Sequence, residues 1–150
     1  MIISGPGRHR GFTVIEILSV LAIVSALATI AIPSVQSAIE HAKVARAIGD
    51  IRALEVDLDG LDTLPATLAD IGRGSLRDPW KRPYRYLPFP AGGPPSDARR
   101  DRFLVAVNTR YDLYSLGKDG ETSASLTAGV SLDDVVRAAD GGYIGPASKF

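Results

Sequence analysis

Cysteine is absent from this chain. No disulfide can therefore hold it together, and a small exported domain without one depends on its core, on a metal or on neighbouring chains. Histidine is nearly absent as well, with only His9 and His41 present. A cut after Gly11 would leave His41 alone, on the charged face of a helix, which is poor material for a triad or a zinc site. There is no Walker loop, no His-Glu-x-x-His and no Gly-x-Ser-x-Gly. The reading is that the chain is not an enzyme. An excess of one charge is missing too: lysine and arginine number 17, aspartate and glutamate 17. Removing residues 1–11 takes away Arg8 and Arg10 and no acid, leaving 15 basic against 17 acidic side chains. That balance carries no basic footprint for nucleic acid.

What the chain does have is one long apolar run. Arg8 and Arg10 precede a Gly11-Phe12 step, and Glu16 is the last charge before an aliphatic stretch over residues 17–32, broken only by Ser19, Ser25 and Thr29, with Pro33 after it. A secretory signal peptide carries its apolar region before the cleavage site and loses it. Here a cut after Gly11 keeps the run. Extended to Val35 it is long enough to cross a bilayer, which takes ~20 residues for ~30 Å of hydrocarbon. Arg8 and Arg10 place the N-terminal side in the cytoplasm and the remainder outside. With 150 residues in all, one domain plus one spanning segment is the natural count.

Glu16 needs an explanation, because an ionisable group in a spanning segment is costly and usually has a partner. It either snorkels to the headgroups or pairs with a cation. The α-amine of Phe12, freed by a cut after Gly11, is four residues away on the same helix face, and the same pairing is available between chains.

Leader, Gly-Phe step, acid and apolar run together resemble the prepilin signature of type IV pilins and type II secretion pseudopilins. The resemblance implies cleavage after Gly11 by a prepilin peptidase, N-methylation of Phe12, and a Glu16 that neutralises the N-terminus of an incoming subunit and sets its register. It divides the chain into a leader (1–11), a membrane and filament-core helix segment (12–35) and a globular pilin-like domain (36–150). Many type IV pilins close their C-terminal region with a disulfide, so the lack of cysteine favours the pseudopilin branch.

Beyond Pro33 the pattern turns amphipathic. Val35, Ile39, Ala42, Ala45, Ile48, Ile51, Leu54 and Leu58 recur at spacings of three and four, opposite Glu40, Lys43, Arg46, Asp50, Glu55 and Asp59. This predicts one helix over about residues 12–61, ~75 Å long at 1.5 Å per residue, bent or locally melted at Pro33. Asp57, Asp59 and Asp62 read as a solvated face. Asp59-Gly60 stops the helix, and Thr67 caps a short turn ending at Gly72.

Asp78-Pro79-Trp80-Lys81-Arg82-Pro83-Tyr84-Arg85-Tyr86 alternates into a strand with an aromatic face. It resembles the Asp-Pro-Trp-x-x-Pro-Tyr segment of major pseudopilins, with Lys81 where that family commonly has glycine. Residues 91–101 read as an exposed, mobile, turn-rich loop whose Arg99 and Arg100 are solvated. Residues 103–107 and 111–116 read as two further strands. The predicted fold is α+β: the long helix packed on a three-stranded antiparallel sheet, with a C-terminal metal-loop region.

That region is Tyr111-Asp112-Leu113-Tyr114-Ser115-Leu116-Gly117-Lys118-Asp119-Gly120, followed at a distance by Ser131-Leu132-Asp133-Asp134. It resembles the calcium loop of major pseudopilins. Ca²⁺ takes six to eight oxygens, mixing carboxylates with carbonyls; the resemblance assigns a carbonyl from Leu116, a carboxylate from Asp119 and a second from Asp133 or Asp134. Without the metal, Asp119-Gly120 reads as an ordinary turn, and Ser131-x-x-Asp134 as a capping box for a helix over residues 132–139 ended by Gly141-Gly142.

The function implied is a self-assembling subunit of a short periplasmic filament that pushes folded proteins through the outer membrane. Its partners are further copies of itself, the prepilin peptidase, an inner-membrane assembly platform with its ATPase, and minor pseudopilins. A surface pilus subunit, or a membrane-anchored calcium-binding or adhesion domain that never polymerises, are the alternatives.

Overall fold

A computed structural model describes residues 11–150. Arg8, Arg10 and the leader up to that point lie outside the described residues. One helix, α1 (Val14–Asp59), runs for 46 residues, within two residues of the sequence expectation at each end. The chain stays helical through Pro33, so the local melting considered there does not occur: one missing backbone hydrogen bond is tolerated in a helix otherwise rich in aliphatics. The helix ends at Asp59 because Gly60 and Leu61 close the last turn on Val56 and Leu58 and the chain then turns away.

By contacts the chain divides into two compact units, up to Ile39 and from Glu40 onward. In the first, the large apolar side chains from Phe12 to Ile39 are all exposed, Phe12 at 84% and Ile39 at 50%. In the second, α1 buries Ala47, Ile51, Leu54 and Leu58. The buried stripe is therefore Val44, Ala47, Ile48, Ile51, Leu54 and Leu58, not the Ala42–Ala45 side, because the longer side chains decide which face turns inward. Burying each of the large aliphatics contributes about 2 kcal/mol.

Four antiparallel strands follow, where the sequence suggested three: β1 (Arg85–Pro88), β2 (Tyr111–Ser115), β3 (Val135–Ala138) and β4 (Tyr143–Pro146), adjacent in that order. Tyr86 faces Leu113, Ser115 faces Val135, and Val136 faces Gly145. Thr67 caps the short 3-10 turn Leu68–Ile71 with Asp70 as its reciprocal partner, and Gly72 ends it at φ 73°, as expected.

Two expectations fail. Residues 103–107 form no strand; Phe103, Leu104 and Val105 are exposed, and only an isolated bridge joins Arg100 to Ala106. Residues 132–139 are not a helix either. Ser131 closes a 3-10 turn, Gly129–Ser131, and β3 follows. Its hydroxyl is bonded to Ser123, so the capping box is not formed. The Val135-Val136 pair is buried on both faces of the sheet, and β-branched residues of that kind favour a strand. Gly141 belongs to the β3–β4 turn, where Ala139, Asp140 and Gly141 all have positive φ.

The sheet is covered on both sides. Tyr111, Leu113 and Val135 pack with α1 and Tyr84, while Val136, Ala138, Val107, Leu126 and Ala147 form a second core. Alternation along each strand sends neighbours to opposite faces. The segment read as a solvated loop belongs to this covering layer: Ala98 is fully buried and Arg99 is 2% exposed.

Candidate functional site

At the N-terminus the sequence builds its own cap. Thr13 precedes the helix, and its hydroxyl accepts from the Glu16 N–H at 3.3 Å; the Glu16 carboxylate accepts in return from the Thr13 N–H and hydroxyl, both at 2.9 Å. This is a reciprocal capping box. Phe12 lies ahead of the helix, and Gly11 and Phe12 are exposed. The three hydroxyls in the apolar run are satisfied within the helix: Ser19 donates to the Glu16 carbonyl, Ser25 to Leu21 and Thr29 to Ser25. The run thus carries no unsatisfied side-chain polar group into an apolar surrounding, and α1 is long and apolar enough there to cross a membrane.

The second place is the loop after β2. It is positioned by the Asp78 turn. The buried Asp78 carboxylate accepts from the Trp80 and Arg82 N–H groups at 3.0 and 2.8 Å and from the Ser115 hydroxyl at 2.6 Å. Asp78 and Arg82 also pair through the backbone, and Lys81 sits at φ 71°, a conformation glycine adopts most easily. Trp80 donates its indole N–H to Glu40 at 3.2 Å. Tyr84 donates to Asp50 at 2.8 Å, on α1.

The turn delivers the Arg82 guanidinium to the loop. It donates to the carbonyls of Gly117 at 2.7 Å, Lys118 at 3.3 Å and Asp119 at 3.2 Å. A side chain at Gly120 would collide with this guanidinium, and one at Gly117 with the Asp133 carbonyl. The Leu116 carbonyl accepts from the Gly120 N–H, and the Asp119 carboxylate from the Glu121 N–H at 2.9 Å. Asp133 reaches the same loop, accepting from the Lys118 and Asp119 N–H groups at 2.6 and 3.0 Å. Asp134 points elsewhere: fully buried, it accepts from the Thr122 hydroxyl at 2.6 Å and from the Arg99 guanidinium. The two candidate acids are thus separated. Among the described residues no three acidic or histidine side chains gather as a metal-holding group.

Burial pushes the Asp134 carboxyl up to about 6, against the pull of Thr122 and Arg99. Burial also raises Asp112, which accepts from the Arg99 N–H and the Asn108 amide. Folded-state values above the free ones mean that both groups favour the fold most in acid, an advantage lost as pH rises, for Asp134 through about 6. Sequence reading missed Arg82, Arg99, Asp78 and Ser115. Asp78 had a signal, since an aspartate two residues before a Trp-x-x-Pro turn is placed to bond its N–H groups; Arg99, in a Gly/Pro/Ser-rich stretch without periodicity, had none. His41 is exposed on α1.

A capped apolar helix of spanning length, continuing into an amphipathic half that packs on a small antiparallel sheet, is the architecture of a pilin-like protein. Residues 6–32 match the prokaryotic N-terminal methylation motif. The chain is 34% identical over 143 residues to the type II secretion system core protein G of Pseudomonas aeruginosa, covering 79% of this chain and 89% of that one. It is 32% identical to the core protein G of Escherichia coli, over 76% of this chain and 85% of the relative, and 31% to that of Dickeya chrysanthemi, over 75% and 80%. No solved structure matches. The chain belongs to the type II secretion core protein G family, the major pseudopilins, and is a structural subunit of that system.

Proposed function

We propose that the chain is cut after Gly11, methylated on Phe12, and assembled through its apolar helix into a helical periplasmic filament that drives folded proteins across the outer membrane. The observation that carries this is the 34% identity to a type II secretion core protein G over 79% of this chain and 89% of that one. Before assembly the subunit resides in the inner membrane as a single-pass protein, anchored by residues 12–35, with residues 36–150 in the periplasm. Its partners are its own copies, the prepilin peptidase, the inner-membrane assembly platform and the minor pseudopilins. It catalyses nothing; the work is mechanical.

Physical reasons support the reading. The N-terminal part of α1 leaves its large apolar side chains exposed, Ile17, Leu18, Val20 and Leu21 at 51–58%, and must be buried by lipid or by other helices. Identical helices packed head-to-tail without closing give a filament. Once Phe12 is an N-terminus, its amine is one residue from Thr13, whose N–H the Glu16 carboxylate accepts at 2.9 Å, and a neighbouring chain would present the same pair of charges. The test is deletion of the gene in its host, scoring exported proteins in the medium and surface filaments by electron microscopy, with mass spectrometry of the complemented strain for a mature chain starting at methylated Phe12. Loss of specific secreted proteins with surface pili intact is the expected result. Loss of surface filaments with normal secretion refutes it in favour of a pilus subunit.

A further inference from the structure

We infer that this chain ties its C-terminal loop with two of its own guanidiniums, Arg82 and Arg99, and that its folded state does not need calcium. The inference stands on the globular unit alone and is independent of the export reading.

Calcium requires six to eight oxygens drawn from carboxylates, carbonyls and water. The oxygens that the family resemblance nominates do not gather to meet that demand: Asp134 turns away to Arg99, and Leu116, Asp119 and Asp133 each give an oxygen to a protein donor. Three successive carbonyls, those of Gly117, Lys118 and Asp119, turn toward one cation, and that cation is Arg82. The positive φ values of Gly117 and Gly120 turn the loop this way, and the absence of a side chain at Gly120 leaves room for the guanidinium. Its planar fork of five N–H donors suits several acceptors at once. A divalent ion entering the same ring of carbonyls would have to displace it or sit against its charge. The Leu116 carbonyl accepts from the Gly120 N–H, one Asp119 carboxylate oxygen from the Glu121 N–H, and one Asp133 oxygen from two loop N–H groups.

Arg99 does the same on the other side. It donates to the Thr122 hydroxyl, the Ser123 carbonyl and the Asp134 carboxylate, and its guanidinium lies 4.3 Å from the centre of the Tyr114 ring. Its backbone N–H binds Asp112 at 2.6 Å. One side chain thereby joins the 122–123 loop, β2 and the entry to β3. Two buried atoms of this pair lack a partner, Arg99 Nε and Asp134 Oδ1. One is a donor and the other an acceptor, a combination that a bridging water serves and a divalent cation does not. Arg99 and Asp134 are 2% and 0% exposed, so the pair is a device for position: removing one partner strands a buried charge.

The test uses the full chain in detergent micelles, with Trp80 fluorescence melts and limited proteolysis of the 117–134 segment, each in about 1 mM calcium chloride and in excess EGTA. The expected result is a melting temperature that agrees within about 2 °C between the two conditions and equal cleavage rates. A calcium-dependent rise beyond about 2 °C overturns the inference. Arg82→Gln, at a half-buried position, keeps the fold and is expected to speed cleavage of the loop by about tenfold through local opening; an unchanged rate overturns the role of Arg82. Arg99→Lys keeps the charge and loses the fork. A lowered melting temperature or loss of folding is expected, and an unaltered melt overturns the role of Arg99.

Discussion

Replacing Asp78 by alanine will cost the globular unit about 3–5 kcal/mol. The Asp78 carboxylate is 3% exposed and accepts three hydrogen bonds, from the Trp80 N–H, the Arg82 N–H and the Ser115 hydroxyl. A hydrogen bond to a charged group contributes about 1.5–3 kcal/mol. Three such bonds would sum higher, but the two N–H groups lie at a turn that water can reach once it loosens, and desolvating the carboxylate offsets part of the gain. Ser115 is fully buried, and its hydroxyl would be left without this partner at a cost of about 1–3 kcal/mol. The loss is a large fraction of the roughly 5–15 kcal/mol that holds a small domain together. It should lower the melting temperature by about 10–20 °C. Trp80, the sole tryptophan, lies in the affected turn, so its fluorescence is the direct readout, and the apolar half of α1, which micelles keep helical, does not mask it. Asp78→Asn keeps one acceptor oxygen and should fall between wild type and alanine. An alanine variant that melts within about 3 °C of wild type would refute the argument that this carboxylate organises the turn.

Lys81→Gly should stabilise the fold by about 0.5–1 kcal/mol, because relief at φ 71° exceeds the entropy glycine adds to the unfolded chain; equal or lower stability in a denaturant titration counts against it. Glu55→Ala should cost about 1–2 kcal/mol, since it removes the nearest counter-charge of the buried Arg137, at 2.7 Å, and leaves it only the looser carboxylates of Asp59 and Asp140 at 3.9 and 3.8 Å. Asp57→Ala, which breaks an exposed pair with Arg73 at 2.8 Å, should cost about 0.5 kcal/mol, and paired unfolding curves that show equal losses would contradict the burial argument. All five tyrosines are held above their ordinary value by burial: Tyr84, Tyr86 (up to about 12), Tyr111, Tyr114 and Tyr143. The fold keeps them neutral, so this contribution is whole below the unfolded value near ~10 and is lost as pH climbs past it. Absorbance at the tyrosinate band should stay flat through that region and rise only with unfolding; a clear step near ~10 in the folded protein would be the contrary result.

The long helix and its apolar run were legible in the chain itself, because both depend on residues close in sequence. The Thr13–Glu16 capping box was not read from the sequence, whereas periodicity and a run of aliphatics are local facts. The Thr67 cap and the Gly72 stop were legible for the same reason. The strand count was not. Residues 103–107 alternate like a strand but form none, with 103–105 exposed and Val107 buried, while residues 135–138 were read as helix from a Ser-x-x-Asp spacing and became the most buried strand of the sheet. Only the tertiary structure decides between such readings, since a strand exists where another strand is available to receive its hydrogen bonds and both its faces can be covered. The same holds for the loop. Glycine and acid marked where the chain would turn, but nothing near Arg82 or Arg99 in sequence says that its charge lies against carbonyls and a carboxylate about 35 positions away. Local spacing determined the helix and its apolar run; the packing of distant segments around β2 decided which cations lie against the end of the chain.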